Sequence, residues 1–185
     1  MGGRNDGENK GIGIMPKIAL LRGGAASGKS TAFEGLRKSG RLKGWAFIDH
    51  PWLKEGFKGM KDKRELQKKA LFGLMKPLMK EKKNIILEEM SAQTVRKQVG
   101  YYVRKYGYTF VVFQFEVASG AFDRNLARVR KGDKIHKKTM TRKFVDESHA
   151  DHQRKVDREG IVVNTSEMGK KKVVGVILKG LGVRG

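Results

Sequence analysis

The stretch Ile18-Ala-Leu-Leu-Arg-Gly-Gly-Ala-Ala-Ser-Gly-Lys-Ser-Thr31 decides the fold of this chain. From Gly23 to Ser30 it matches the pattern Gly-x-x-x-x-Gly-Lys-Ser of a phosphate-binding loop. The apolar run 18–21 before it predicts a buried parallel strand, and residues 29–38 after it are compatible with a helix. A strand, a glycine-rich turn and a helix aim backbone N–H groups and the positive end of the helix dipole at an anion. We therefore expect the loop to bind nucleotide phosphates through Gly23, Gly24, Ala25, Ala26, Ser27, Gly28, Lys29, Ser30 and Thr31.

Two side chains of the loop extend this interpretation to a cofactor. Lys29 is placed to reach the β- and γ-phosphates, and the Ser30 hydroxyl is placed to bind Mg²⁺. The expected ligands are thus ATP and Mg²⁺. A glycine-rich turn without a ligand is the alternative, and the strand–helix context disfavours it.

Length and composition restrict the class of protein. The chain has 185 residues, enough for one domain, and no cysteine, which excludes disulfides, thiolate metal sites and cysteine nucleophiles. It has no apolar run near the ~20 residues that a membrane span needs, and residues 1–14 lack the apolar segment of a signal peptide. We expect a cytoplasmic protein with no membrane association and no obligate protein partner, a disordered extension over residues 1–14, and a single domain over 15–185.

The charge is strongly positive. The chain has 41 Lys and Arg against 19 Asp and Glu, a net charge of +22. A basic surface of this kind favours a polyanionic partner, and we expect nucleic acid, either RNA or DNA. A lysine-rich solvated surface, as in some thermophile proteins, is the alternative.

Five apolar runs alternate with helical patterns, which predicts an α/β fold with a five-stranded parallel sheet sandwiched by helices. The expected strands are 18–21, 45–48, 84–87, 108–115 and 161–164. Ligands of such sheets bind at the carboxyl ends of the strands, so Asp49, Glu88 and the loop are expected to line one crevice.

After the first helix, we expect helices over residues 61–83, 94–106, 122–130 and 141–158. Pro77 predicts a kink or break in the helix 61–83. Thr165 and Ser166 are expected to cap a last helix that ends near residue 181.

Several polar side chains are candidates for chemistry. Asp49 is placed to accept the proton of an attacking hydroxyl, although an Asp that only caps a loop has the same pattern. Glu88 is the candidate acid for Mg²⁺, with Glu89 as the alternative. Arg124 and Arg128 share a helix face and are expected to neutralise the transferring phosphoryl group from a basic mobile lid, about residues 124–141. Arg130 extends this set as a candidate substrate-binding residue, and a solvated helix face is the alternative for all three arginines.

Two further patterns have competing interpretations. The helix 94–106 interleaves basic residues with tyrosines, which is typical both of a strand-stacking surface and of an ordinary amphipathic helix. His149 and His152 have a spacing that suggests a metal site, but their Lys- and Arg-rich setting favours a solvated helix.

With these motifs in order, the chain resembles the small P-loop kinases grouped around polynucleotide 5′-hydroxyl kinase and the zeta toxins. The resemblance runs from about residue 17 to 181 and is most specific in the phosphate loop, at Asp49, and in Phe115-Glu-Val-Ala-Ser-Gly-Ala-Phe-Asp-Arg-Asn-Leu-Ala-Arg128. It implies that the loop lysine and the lid arginines stabilise the phosphoryl transition state and that the acid after strand two activates the acceptor. These roles fall on Lys29, Arg124, Arg128 and Asp49, and Arg96 matches a substrate-binding arginine of the helix after strand three.

The run Glu88-Glu-Met-Ser91 departs from the Asp-led pattern that polynucleotide kinases favour after strand three, which puts the acceptor in doubt. The resemblance and the charge together favour an ATP- and Mg²⁺-dependent kinase of a nucleic-acid hydroxyl, most simply a 5′-hydroxyl end. A zeta-like kinase of a nucleotide sugar or another small metabolite, and a nucleic-acid-binding ATPase, are the alternatives.

Overall fold

A computed structural model describes residues 15–49, 53, 55–88, 92–117, 120, 123, 127, 141–154 and 160–183, without the side chains of residues 92–98 and 154. The strands are β1 (Lys17–Gly23), β2 (Ala46–Asp49), β3 (Ile85–Glu88), β4 (Thr109–Glu116) and β5 (Ile161–Asn164). The helices are α1 (Lys29–Lys38), α2 (Lys63–Lys80), α3 (Ala92–Tyr106), α4 (Arg142–Arg154) and α5 (Lys170–Gly180).

The five strands form one parallel sheet, as the alternation of apolar runs predicts, and their order in the sheet is β2-β3-β1-β4-β5. The strand β1, which leads into the glycine-rich loop, lies in the centre, between β3 and β4. Each connection between parallel strands brings the chain back to the end of the sheet where strands begin. All five strands therefore end on the side where β1 meets the phosphate loop.

Each face of the sheet is covered by its own pair of helices. On β1, Ala19 and Leu21 belong to the core beneath α1 and α5, whereas Ile18 and Leu20 belong to the core beneath α2 and α3. This division follows from the two-residue repeat of a strand. All four side chains are fully buried, so β1 is held from both faces and the loop that follows it has a rigid base.

The break expected at Pro77 is not found, because α2 continues through it to Lys80. Pro77 lies in the last turn on the exposed side of the helix. It deprives the carbonyl of Gly73 of a helical donor, and Gly73 is itself exposed, so water is able to replace the lost hydrogen bond.

The start of α5 also differs from the expectation. Thr165 and Ser166 do not cap this helix, which begins at Lys170 after an extended Gly169. Thr165 instead donates from Oγ1 to the backbone oxygens of Ser27 and Glu116, at 2.9 and 3.2 Å. The residue that sequence reasoning assigned to a helix cap therefore braces the phosphate loop.

Among the described residues, no helix combines the length and the apolar character that crossing a bilayer requires.

Candidate functional site

The phosphate loop connects the end of β1 at Gly23 to the start of α1 at Lys29. Two residues within it have left-handed backbones, Ala26 with φ 57° and Gly28 with φ 94°. Left-handed residues of this kind turn successive N–H groups toward the inside of a loop and create a concavity that suits an anion. The backbone therefore has the shape that the motif predicts.

Lys29 is buried and its ammonium group lies inside the loop. Its Nζ donates to the backbone oxygens of Gly23 and Gly24, at 2.8 and 2.7 Å, and lies 3.3 Å from Ser27 Oγ. A lysine charge is thus held at the centre of the anion-binding concavity, with its protons bonded to carbonyl groups that a phosphate oxygen is able to replace.

The structure brings together three of the candidate residues at the carboxyl edge of the sheet. Ser30 donates from its hydroxyl to Glu88 Oε1 at 2.6 Å, and Glu88 is 2% exposed. Asp49 is the register partner of Glu88 on the neighbouring strand β2 and is half-buried. A hydroxyl and a carboxylate are thus bonded beside the loop, and a second carboxylate residue lies next to them on the neighbouring strand.

A cavity of about 180 Å³ opens on the other side of the loop. It lies between the start of α1 and the β5–α5 connection, and its lining includes Gly28, Thr31, Thr165, Met168 and Val173. The lining is largely apolar at the end where Met168 and Val173 lie, and Thr165 fixes its rim to the loop by the hydrogen bond to Ser27.

Arg22 is a functional candidate that sequence reasoning missed. It precedes the first glycine of the loop and is 1% exposed. Its Nη1 donates to Gln114 Oε1 at 3.1 Å and its Nη2 donates to the backbone oxygen of His152 at 3.2 Å. The available signal was a cation directly after the apolar run 18–21, which places a positive charge behind the phosphate loop.

The interpretation of His149 and His152 as part of a solvated helix is wrong. His152 is 5% exposed, and His149 is half-buried against the loop, with its Nε2 at 2.8 Å from the backbone oxygen of Ala25. Burial, followed by the charges of Arg22 and Lys29, lowers the pKa of His152 to about 4. The two histidines share a helix face that is turned toward the loop. The local sequence pattern is the same for a helix face turned toward water, so it does not distinguish the two cases.

The tyrosines of α3 divide between the core and the surface. Tyr102 and Tyr106 pack against the core beneath α2 and α3 and stack with ring centres 6.2 Å apart, whereas Tyr101 is 56% exposed. Lys105 Nζ lies 5.6 Å from the centre of the Tyr101 ring. One aromatic ring with a cation beside it is thus presented on the outside of the helix.

Several predicted residues fall outside the description. Arg124, Arg128 and Arg130, with most of the lid expected over 124–141, lie outside the described residues, as do Glu89 and residues 1–14. The backbone of Arg96 lies in α3, and its side chain is outside the description.

Comparison with known proteins shows which proteins share this architecture. No protein-family model and no curated protein sequence matches the chain. Among solved structures, the APS kinase CysC of Mycobacterium tuberculosis aligns with a TM-score of 0.62 and 14% identity over 91% of this chain and 98% of that one. A chain of the Pnkp1/Rnl/Hen1 RNA repair complex aligns with a TM-score of 0.62 and 18% identity over 78% of this chain and 47% of that one.

The PezAT chromosomal toxin–antitoxin system of Streptococcus pneumoniae aligns with a TM-score of 0.56 and 13% identity, over 95% of this chain and 90% of that one. Identities this low are informative about the fold alone. The chain has the fold of the P-loop kinases. In that fold the phosphate loop, Ser30 and Glu88 lie together at the carboxyl edge of the sheet.

Proposed function

We propose that this protein is a kinase that uses ATP and Mg²⁺ to phosphorylate a hydroxyl group of a nucleic acid, most simply a 5′-hydroxyl end. The observation that carries the proposal is the hydrogen bond between Ser30 and the buried Glu88, beside the ammonium group of Lys29. This is the set of groups that phosphoryl transfer needs around the β- and γ-phosphates.

The residues present fit a magnesium ion. Mg²⁺ prefers oxygen ligands, and the Ser30 hydroxyl and the Glu88 carboxylate lie within 2.6 Å of each other at the mouth of the loop. Ser30 and Glu88 are therefore the residues that would hold it, directly or through water. When bound, the ion neutralises the charge of the phosphate oxygens.

The remaining residues have distinct roles in the transfer. The acceptor oxygen forms a bond to the γ-phosphorus while the bond from that phosphorus to the β-bridging oxygen breaks, and ADP leaves. The Asp49 carboxylate takes the proton that the acceptor hydroxyl loses. Lys29 exchanges its loop carbonyls for phosphate oxygens, and Arg124 and Arg128 neutralise the charge of the phosphoryl group in transfer.

The charge supports a polyanionic acceptor. The net charge is +22, and the helix 92–106 contains four basic residues and no acidic one. Tyr101 adds an exposed ring that a base is able to stack on. Nucleic acid is the partner that combines phosphates with flat bases.

A small-molecule kinase is the second candidate. It is favoured by the similarity to the APS kinase CysC, whose structure holds the small molecule APS, and by the run Glu88-Glu-Met-Ser91. On this alternative the positive charge has no role in the reaction.

Transfer of label from γ-labelled ATP with Mg²⁺ tests the proposal. The acceptors are 5′-hydroxyl RNA and DNA oligonucleotides and a panel of nucleosides and nucleotide sugars, and Lys29→Ala is the blank. We expect label on the oligonucleotide end and none with the variant. Label only on a small molecule would establish the second candidate, and hydrolysis stimulated by nucleic acid without transfer would identify an ATPase.

A further inference from the structure

The helix α4 contacts the phosphate loop at Ala25. The N–H of Ala25 donates to Ser148 Oγ at 2.9 Å. Its carbonyl oxygen accepts from His149 Nε2 at 2.8 Å, so this ring nitrogen carries a hydrogen. Both backbone polar groups of one loop residue are thus bonded to adjacent side chains of a helix more than a hundred positions away in the chain.

The imidazole of His149 also occupies the space beside Gly24. A Cβ atom at Gly24 would lie 2.7 Å from His149 Nδ1 and 2.8 Å from its Cε1. These distances are shorter than any normal contact, so the ring stands where a side chain at position 24 would go.

A third hydrogen bond joins the end of α4 to the strand before the loop. Arg22, at 1% exposure, donates from Nη2 to the backbone oxygen of His152 at 3.2 Å. The positive charge of Arg22 lies at the carbonyl end of the helix, where the helix dipole favours a cation. Among the described side chains of α4, those that face inward are Val145, Ser148, His149 and His152, and only the first is apolar.

This contact is directional rather than a simple burial of apolar surface. Apolar packing does not by itself orient a peptide group, whereas the hydrogen bonds with Ser148 and His149 define the orientation of the peptide groups of Ala25. The residues that follow include Ala26 and Gly28, whose left-handed backbones shape the anion-binding concavity. A rotation of the peptide groups at Ala25 would therefore change the shape of that concavity.

We propose that Ser148 and His149 are positioning residues for nucleotide phosphate binding, which act by holding the backbone of Ala25. The proposal rests on the proposed function in that the ligand of the loop is a nucleotide. The two residues act through the loop and need not contact the phosphates.

Titration of the protein with ADP in the presence of Mg²⁺, followed by calorimetry, tests this role without any acceptor. We expect Ser148→Ala and His149→Leu each to raise the Kd for ADP by about three- to tenfold, the effect of losing one hydrogen bond. His149→Gln keeps an N–H donor in reach of the carbonyl and is expected to restore most of the affinity. The matched control is Lys143→Ala, an exposed residue of the same helix.

A double-mutant cycle separates positioning from general stability. Gly24→Ala collides with the His149 ring, so it is expected to weaken ADP binding in the wild type and to have little further effect in a His149→Ala background. Gly23→Ala is the control, because its Cβ would lie 2.8 Å from the backbone oxygen of Phe115 and no change at His149 relieves that contact. It is expected to be damaging in both backgrounds.

The outcomes distinguish this proposal from the proposed function. If the wild type does not bind ADP, the proposed function is overturned and the inference with it. If the wild type binds ADP and Lys29→Ala does not, but Ser148→Ala and His149→Leu bind as the wild type does, the inference alone is overturned. Additive effects of Gly24→Ala and His149→Ala on the Kd for ADP would also overturn the inference alone.

Discussion

Asp49 and Glu88 are neighbours at the ends of adjacent strands, but their surroundings differ. Glu88 is buried and accepts the Ser30 hydroxyl, whereas Asp49 is half-buried at the mouth of the site. The proposed function assigns different roles to these two carboxylates: Glu88 would hold the metal ion, and Asp49 would be available to the acceptor hydroxyl.

Asp49→Asn tests this division. Since an amide cannot accept the acceptor's proton, we expect kcat for transfer to fall by about two to four orders of magnitude while the Kd for ADP changes little. Quench-flow or steady-state label transfer gives kcat, and calorimetry gives the Kd. Asp62→Asn, at an exposed position without a side-chain capping bond, is the matched control. A loss of only a few-fold would mean that another group takes the proton.

His152 predicts a pH dependence of stability. Burial, followed by the charges of Arg22 and Lys29, lowers its pKa from 6.5 to about 4, so the folded protein keeps the ring neutral where the unfolded chain protonates it. The free energy of unfolding therefore falls as the pH drops from 6.5 toward 4, by about 2 kcal/mol between pH 6.5 and 5. Urea unfolding at several pH values measures this change.

The comparison variant is His152→Leu. Both ring nitrogens of His152 lack a partner among the described residues, so a leucine leaves no polar atom unsatisfied there. We expect this variant to lose the part of the pH dependence that lies between 5 and 6.5. An unchanged slope would mean that other groups titrate in that range.

At the scale of elements, the proposed function assigns the contact with nucleic acid to α3. Tyr101 is exposed and Lys105 lies beside its ring, while the other two tyrosines of the helix are packed against the core. Among the described side chains of α3, Tyr101 is thus the ring that is available for stacking.

Tyr101→Ala is expected to raise KM for a 5′-hydroxyl oligonucleotide by about five- to a hundredfold, the effect of one lost base stack, and to leave the Kd for ADP unchanged. Tyr101→Phe keeps the ring and is expected to behave as the wild type. Label transfer over a range of oligonucleotide concentrations gives KM. Equal KM values for all three proteins would remove α3 from the acceptor path.

At the scale of the whole molecule, the net charge of +22 predicts a strong dependence of nucleic-acid binding on salt. Each contact to a single-strand phosphate contributes about −0.7 to the slope of log K against log salt. With about five contacts, affinity for an oligonucleotide falls about a hundredfold between 50 and 200 mM salt.

Fluorescence anisotropy of a labelled 5′-hydroxyl oligonucleotide measures this slope, with ADP binding at the same salt concentrations as the comparison. A slope near zero would show that the charge of the molecule does not serve nucleic-acid binding, and it would favour the small-molecule acceptor.

The sequence by itself determined the sheet and the phosphate loop. Both depend on local patterns, namely apolar runs of strand length and a glycine-rich turn before a helix, and these patterns report the backbone conformation directly. The same reasoning placed Asp49 and Glu88 together, since all strands of a parallel sheet end at one edge.

Only the tertiary structure decided which side chains from the second half of the chain reach the loop. Thr165, Ser148 and His149 bond to the backbone of Ser27 and Ala25, across 123 to 138 positions of sequence. The sequence around Thr165 is equally typical of a helix cap, and that around His149 of a solvated helix. Which partner such a polar side chain finds depends on how the helices pack over the sheet, which no short-range pattern records.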